Sequence, residues 1–332
     1  MNKKNITVAV LIGGASPERE VSKESGKYMY NAVKTLGYNV KLIDPAYGLK
    51  QPKSEKEFFA VDNYSELKAE NYLKVINSKH FDNVDLALLA LHGKWGEDGT
   101  IQSILEFKGI KYTGTGVLGS SLTMDKARSK IMFTHFGVST PKWITACKNS
   151  ELSKLNKQIE EELKYPCIVK PNDQGSTIGL TKCESSKDIE EAVALSLKYS
   201  DVVLIEEFIA GREIAIAIID GKTFPLLEII PKHEIYDYEC KYKDGMSEYI
   251  VPAELDKNVE KEMKKQALIA FNSLGCKDYA RVDFRLTKDN KFYCFEINTL
   301  PGMTSHSLVP KMAKAAGINF EELVEMIIKS AL

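Results

Sequence analysis

The sequence carries no excess of either charge: 45 Lys and Arg stand against 46 Asp and Glu, a formal net charge of −1. Proteins that work on phosphate backbones or anionic lipid usually show a basic excess or stripe. None occurs here, so neither nucleic acid nor a membrane is an expected partner. Long apolar runs are missing too. Val84 to Leu91 is among the longest and is broken by Asp85, far short of the ~20 residues that span a bilayer. The N-terminus, Met1-Asn2-Lys3-Lys4-Asn5-Ile6, is basic, but its apolar run is short and no small-residue cleavage site follows, so no signal peptide is expected. Cysteine is sparse and scattered, at 147, 167, 183, 240, 276 and 294, with no Cys-x-x-Cys. That spacing favours reduced, mostly buried thiols in a cytoplasmic protein over metal or disulfide roles. A Walker A motif is also absent, which disfavours a P-loop ATPase.

What is present is an ordinary globular composition, 44% apolar with a mean hydropathy of −0.23. A length of 332 residues suggests two or three domains at roughly 150 residues or fewer each. Residues 1–115 alternate strand-like and helix-like segments. Ile6 to Ile12, Val40 to Ile43 and Val84 to Leu91 read as buried strands and Ser22 to Leu36 as a helix, a pattern that points to an open, mostly parallel α/β sheet. Residues 46 to 80 give few signals and read as an irregular insertion. The segment 116–206 is shorter in rhythm, with one helix expected through Met124 to Phe136, a strand at Cys167 to Lys170, a Gly-rich turn, a helix near Ile189 to Leu197 and a strand at Val202 to Glu207. Residues 207–332 read as α+β. Strands are expected at Ile214 to Ile219 and Leu226 to Ile230, followed by an irregular stretch over 231–252. A long helix over Asp256 to Leu274 places Val259, Met263, Ala267, Ala270 and Leu274 on one face.

Three segments carry chemistry. Ala280 to Leu286 and Phe292 to Asn298 alternate polar and apolar residues and read as a hairpin. A four-residue loop, Lys288 to Lys291, would set Asp283 opposite Glu296 and Arg281 opposite Asn298 on one face. Opposed carboxylates repel unless a positive charge intervenes. A hard divalent cation taking Asp283, Glu296 and the Asn298 amide would resolve the conflict, whereas two solvated charges would be the bland alternative. The second segment, Ile168 to Gly179, ends a buried strand in Lys170 and follows it with two glycines and adjacent hydroxyls, suited to closing over phosphate oxygens. The third is Gly13 to Glu18, at the carboxyl end of the first strand, with His92-Gly93 expected on the same edge, where open α/β sheets place ligands. Gly114 to Gly119 matches G-x-G-x-x-G, but no convincing βαβ unit surrounds it and no acidic residue follows at the required distance, so dinucleotide binding is not expected there.

Several motifs occur in a fixed order: Gly13-Gly14-x-Ser16-x-Glu18-Arg19-Glu20-Val21-Ser22, His92-Gly93-x-x-Gly96-Glu97-Asp98-Gly99, Tyr112-Thr113-Gly114, Met124-Asp125-Lys126, Val169-Lys170-Pro171, Tyr236-Asp237-Tyr238-Glu239-x-Lys241-Tyr242 and Glu296-x-Asn298-Thr299-x-Pro301-Gly302-Met303-Thr304-Ser305-His306-Ser307. Through them the chain resembles the D-alanine–D-alanine ligases of the ATP-grasp superfamily over nearly its whole length. The resemblance implies an ATP-grasp fold behind an N-terminal parallel α/β domain, divided at 1–115, 116–206 and 207–332. It implies ATP-dependent joining of two D-alanines through an acyl phosphate, for peptidoglycan precursors, in a cytoplasmic homodimer. The implied cofactors are ATP and two Mg²⁺ or Mn²⁺, with K⁺ as a further cation the family admits.

Carried over residue by residue, the resemblance implies that Lys126 and Lys170 contact the nucleotide, that Glu206, Phe208 and Ile209 line the adenine site, and that Glu213 holds ribose. Asp283, Glu296 and Asn298 would bind the metals. Arg281 and the Gly302 N–H would stabilise the tetrahedral oxyanion. Glu18, with His92 nearby, would hold the first substrate, and Lys241, Ser307 and Leu308 the second. Ser176 and Tyr242 would tie the flap and the 231–252 stretch to Glu18. Gln174, Thr177 and Phe208 depart from residues common in the family in ways that look conservative for nucleotide binding. The Tyr-x-Tyr-x-x-Lys-Tyr pattern ending at Tyr242 favours a dipeptide over a depsipeptide product. A D-alanine–D-serine ligase, or another ATP-grasp carboxylate–amine ligase, is the alternative, since one hydroxyl in a small pocket near Met303 to Leu308 is worth only ~1–3 kcal/mol. The residue that removes the amine proton is left open.

Overall fold

The β-branched run at the N-terminus forms β1 (Thr7–Leu11), with Val8 to Leu11 fully enclosed. The structure, a computed structural model, describes residues 3–60, 67–243 and 245–332; the side chains of Tyr238 and Tyr242 also lie outside that description. After β1 come α1 (Arg19–Thr35) and β2 (Asn39–Ile43), then the short helices α2 (Glu55–Phe58) and α3 (Asn71–Ile76), β3 (Leu86–Leu89), α4 (Thr100–Lys108) and β4 (Lys111–Tyr112). The four strands make one parallel sheet in the order β2-β1-β3-β4, buried on both faces as such sheets require. The stretch expected to be an irregular insertion is partly built into this unit: Tyr72 on α3 is 1% exposed and its hydroxyl accepts from Ala15 N at 2.9 Å. A Cβ on Gly14 would meet that hydroxyl at 2.5 Å, and Gly14 has φ +77°, so this loop needs glycine twice over.

The helix expected through Met124 to Phe136 is α6 (Lys126–His135), and a second helix, α5 (Val117–Met124), precedes it. They break at Asp125, whose extended backbone ends one helix while its carboxylate caps the next, accepting from Arg128 N at 3.0 Å. The G-x-G-x-x-G glycines seat this pair. A Cβ on Gly119 would lie 2.9 Å from the carbonyls of Leu274 and Gly275. Next come β5 (Trp143–Cys147), α7 (Leu152–Gln158), β6 (Cys167–Pro171), β7 (Thr181–Cys183), α8 (Ile189–Ser196) and β8 (Val202–Glu207). Their strands form an antiparallel sheet ordered β5-β8-β6-β7, whose core includes Ile159, Val169 and Ile205.

The last part comprises β9 (Arg212–Ile219), β10 (Lys222–Thr223), β11 (Leu227–Pro231), α9 (Tyr238–Tyr242), β12 (Ser247–Ile250), α10 (Lys257–Ser273), β13 (Tyr279–Leu286), β14 (Phe292–Asn298), α11 (Leu308–Ala315) and α12 (Phe320–Ala331). Its antiparallel sheet runs β12-β11-β9-β13-β14, with β10 on β9. Along β9 the pattern of two is strict. Ile214, Ile216 and Ile218 pack with Met263, Ala267 and Ala270 of α10, while Ala215, Ala217 and Ile219 face a core shared with the first sheet. The final helix, α12, turns back to pack on α1 and β3. All six cysteines are free thiols, and only Cys147 is exposed. No helix among the described residues is long and apolar enough to cross a membrane.

Candidate active site between two antiparallel sheets

A cleft of about 820 Å³ opens between the β5–β8 sheet and the β9–β14 sheet. Its walls carry each residue expected at the nucleotide: Lys126, Lys170, Glu206, Phe208, Ile209 and Glu213. Lys170 and Glu206 are diagonal neighbours on one sheet face, since Ile168 pairs with Glu206 and Lys170 with Leu204, and their side chains form an ion pair. Lys126 opens α6 and donates to Gln174 O at 2.6 Å, tying the helix to the Gly-rich loop. Burial pushes the Glu213 carboxyl up, partly offset by Arg285 at 3.4 Å. Burial alone would also raise the Glu206 carboxyl, but the charges of Lys130 and Lys170 hold it down at about 2. Glu206 Oε2 is a buried oxygen with no aligned hydrogen-bond donor. That oxygen is enclosed on the Lys130 side, 2.9 Å from the ammonium, while Lys170 holds Oε1 on the cleft side, where a ligand's own N–H could take that lysine's place.

The hairpin sets Asp283 against Glu296 and Arg281 against Asn298 as expected, although its loop differs. Leu286 pairs with Phe292, so the loop has five residues, and a bulge at Phe295 restores the register before Glu296. The bulge turns two successive side chains, Phe295 and Glu296, into the cleft, a common use of bulges beside sites. The charge conflict between the carboxylates is met by the protein itself. Arg281 grips Asp283 with Nε at 2.8 and 3.1 Å and Nη2 at 2.7 Å. Burial would raise Glu296, but Lys126, Lys241, Lys170 and Arg281 lower it. Repulsion alone therefore does not demand a metal. The donor set still fits a hard cation. The Asn298 amide N–H donates to Asp283 Oδ2 at 3.0 Å, so its oxygen points away from that pair. Asp283 is 3% exposed, set behind Arg281, and lies on neither cavity wall.

A second cavity of about 2060 Å³ carries Glu18, His92, Arg281, Asn298, Gly302, Ser307 and Leu308. The two cavities meet at Gly175, Ser176, Tyr236, Lys241 and Glu296. Ser176 donates to Glu18 Oε1, so the Gly-rich loop already touches the first sheet's edge; Thr177 reaches Tyr236 O at 3.1 Å. The bond expected from Tyr242 lies outside the described residues. His92 is buried between the Leu300 carbonyl, 2.8 Å from Nδ1, and Ser25 Oγ, 3.1 Å from Nε2, and burial lowers its pKa, so the ring is neutral near pH 7. The Ser307 hydroxyl accepts from Thr304 N at 2.9 Å at the head of α11. A Cβ on Gly302 would lie 2.8 Å from Ser307 Oγ, so a side chain there would have to displace that hydroxyl.

Against this geometry stand the relatives. A family model described as the D-ala D-ala ligase N-terminus matches residues 7–115, and one described as the D-ala D-ala ligase C-terminus matches residues 132–329. The D-alanine–D-alanine ligase of Syntrophotalea carbinolica is 39% identical over 324 residues, covering 98% of this chain and 95% of its own. The chain belongs to the D-alanine–D-alanine ligase family. The corresponding protein of Nitrosospira multiformis is 41% identical over 321 residues, 97% of this chain and 95% of its own. Among solved structures, the Bacillus anthracis D-alanine–D-alanine ligase complexed with ATP superposes with a TM-score of 0.77 at 31% identity, covering 98% of this chain and 96% of that one. The D-Ala:D-Ser ligase of Enterococcus faecalis gives 0.83, also at 31%, covering 99% and 100%. The ATP-grasp architecture expected from the motifs is thus the fold found.

Four residues at the site had drawn no role from the sequence. Lys130 lies one helical turn after Lys126, a spacing that placed it on the same face without revealing its depth. Glu97 accepts from Gly93 N at 2.7 Å and Leu300 N at 3.2 Å, joining the two loops that bear His92 and Gly302. Phe295 enters through the bulge. Tyr236, at the junction of the cavities, was visible only as part of a motif.

Proposed function

We propose that this chain joins two D-alanines into D-alanyl-D-alanine with ATP, supplying a peptidoglycan precursor. The observation that carries this reading is the meeting of the cleft between the two antiparallel sheets and the second cavity at Glu296, Lys241 and Ser176, with cations on both sides. In the first step the carboxylate of one D-alanine attacks the γ-phosphorus, giving an acyl phosphate and ADP. In the second, the amine of the other D-alanine adds to the acyl carbon, loses a proton, and phosphate leaves.

Glu18 holds the first ammonium, and His92, neutral and fixed at both ring nitrogens, shapes that pocket without adding charge. Lys126 and Lys170 take the nucleotide, with Glu206, Phe208 and Ile209 at the base and Glu213 at the ribose. Glu296 and Asn298 line the substrate cavity and, with Asp283 set behind Arg281, would hold two Mg²⁺ through their oxygens; the bound ions would neutralise phosphate charge. Arg281 spends Nε and Nη2 on Asp283, which fixes the guanidinium and leaves Nη1 for substrate. With the Gly302 N–H it stabilises the oxyanion, a preorganised contribution of about 2.7–4 kcal/mol per donor. Lys241 and Ser307, beside Leu308, take the carboxylate of the second substrate. The flap residues around Ser176 exclude water from the acyl phosphate. The reaction belongs in the cytoplasm, in a homodimer.

The test is ATP-dependent phosphate release with D-alanine, D-serine and D-lactate, alone and in pairs. Turnover of D-alanine alone is expected. Its absence overturns the reading, and turnover requiring D-serine would move the chain to the alternative, which likeness to a D-Ala:D-Ser ligase keeps in view.

A further inference from the structure

Lys130 is a lysine with no exposed surface, it lies outside the cavity walls, and the reaction above gives it nothing to do. Its ammonium donates to Thr140 Oγ1 at 2.9 Å and Pro141 O at 3.1 Å, and sits 2.9 Å from Glu206 Oε2. The Trp143 ring closes over it, with its centroid 5.6 Å from Nζ. Oε2 is enclosed against Lys130, so the oxygen that can meet a donor in the cleft is Oε1, once Lys170 turns from it to the nucleotide. Glu206 Oε1 is taken by Lys170.

Two lysines on one carboxylate are one more than an ion pair needs. Lys170 lines the cleft and is wanted by the nucleotide; if it turned there from a lone partner, Glu206 would be stranded as a buried, unpaired anion, which is strongly unfavourable. A second, immobile lysine removes that obstacle. Resting on the ligase reading, we propose that Lys130 is a positioning residue for nucleotide recognition: it keeps Glu206 ionised and aimed at an amino group of the base while freeing Lys170 to engage the nucleotide. The surplus positive charge of Lys126, Lys130 and Lys170 over Glu206 also suits a polyphosphate. The low pKa of Glu206 agrees with this arrangement.

The test compares ATP with inosine triphosphate, which carries a carbonyl where adenine has its amine. Lys130→Gln removes the charge while keeping a polar N–H donor on that side of α6. It is expected to raise the KM for ATP about 10-fold to 100-fold, the loss typical of an ionic hydrogen-bonding partner, with kcat and the KM for D-alanine within about threefold. The preference for ATP over inosine triphosphate should fall about tenfold or more, because an unpaired Glu206 takes up a proton and can then donate to the carbonyl. In a Glu206→Gln background the same substitution should add less than about threefold, since the two side chains act as one unit. Equal losses in both backgrounds, or an unchanged nucleotide preference, would overturn the proposal.

Should Lys130→Gln fail to fold, the wild type still decides. Glu206 faces Lys126 and Lys130 from α6 and Lys170 from β6, with Glu296 and Cys294 of β14 acting on those lysines. The nucleotide preference should therefore stay flat from about pH 7.5, below the ionisation of the inosine base, to about 6, and a decline over that range refutes the role. If no nucleotide supports turnover of D-alanine, the ligase reading is what fails; ADP against inosine diphosphate binding by calorimetry then tests Lys130 separately.

Discussion

The contact between Ser176 and Glu18 is the point where the Gly-rich loop meets the first sheet, and removing it should open the site measurably. In Ser176→Ala the Glu18 carboxylate loses one donor. A hydrogen bond to a charged group contributes about 1.5–3 kcal/mol, so the closed state should be disfavoured by about 10-fold to 150-fold. Other ties remain, among them Thr177 to Tyr236 O at 3.1 Å, Lys126 to Gln174 O at 2.6 Å and Gln174 Nε2 to Tyr199 O at 3.1 Å. The loop should therefore open more often without losing its closed form, which places the effect nearer the lower limit. Ser176 and Thr177 both hold positive φ, 51° and 61°, a conformation that costs L residues about 1–2 kcal/mol each. The loop is thus closed against local strain, and losing one tie should tell.

Two assays read this directly. Amide exchange over residues 172–180 should quicken by about tenfold in the substrate-free enzyme, and kcat/KM for phosphate release should fall by a similar factor. Repeating Ser176→Ala in a Glu18→Gln background supplies the internal check. The bond there is neutral, worth about 0.5–1.5 kcal/mol, so the added effect should shrink to about threefold or less. Exchange and kcat/KM both within twofold of wild type for Ser176→Ala would refute the claim that this bond holds the flap.

Three further outcomes follow from other parts of the structure. Glu296→Gln should lower turnover by orders of magnitude at every Mg²⁺ concentration, and chelation of divalent cations should abolish phosphate release; near-normal rates at saturating Mg²⁺ would discredit the metal role of that face. Asp44 pairs with Arg19 beneath the first loop, both about 1–2% exposed, and accepts from Gly14 N and Ala46 N. Asp44→Ala takes the carboxylate from a buried guanidinium that keeps only uncharged contacts such as Gly14 O among those described, and should cost about 3–5 kcal/mol of stability, read as a large fall in thermal midpoint by near-ultraviolet circular dichroism, whereas a fall of a degree or two would refute it. The Glu97 carboxyl is pushed up to about 8, by burial first and the nearby Glu18 second. The folded state thus binds this proton more tightly than the unfolded chain, so wild-type stability should decline as pH rises from about 4.5 to 8, by a few kcal/mol at most. Glu97→Gln should flatten that decline in urea titrations at pH 5 and 8; parallel slopes for the two proteins would count against it.

How far the sequence reaches is best judged on the hairpin that bears Asp283 and Glu296. Period-two alternation on both strands predicts the pairing that matters, Asp283 with Glu296 and Arg281 with Asn298, and the structure has it. The route is different. The expected four-residue loop would pair Phe284 with Phe295; the actual five-residue loop shifts the ladder by one, and the bulge at Phe295 shifts it back. Alternation cannot foresee this, because a loop one residue longer and a bulge cancel in the pattern beyond them. The consequence is chemical, since the bulge gives the cleft an aromatic ring beside the carboxylate. Charge placement had the same limit. Arg281 and Asp283 are two apart on one strand and so share a face, yet nothing in that spacing says that the guanidinium closes over the carboxylate and sets it behind the wall. Lys130 makes the point most sharply. Helical spacing from Lys126 puts it on the site's side, but whether a lysine there is a solvated surface charge or a sealed counter-ion depends on Thr140, Trp143 and Glu206, from two strands and a connecting loop that meet it only in the fold. Local pattern thus assigns a face to a side chain, while depth and partner are set by elements distant in sequence. At this site depth and partner decide which charges meet the nucleotide and which hold those charges in place.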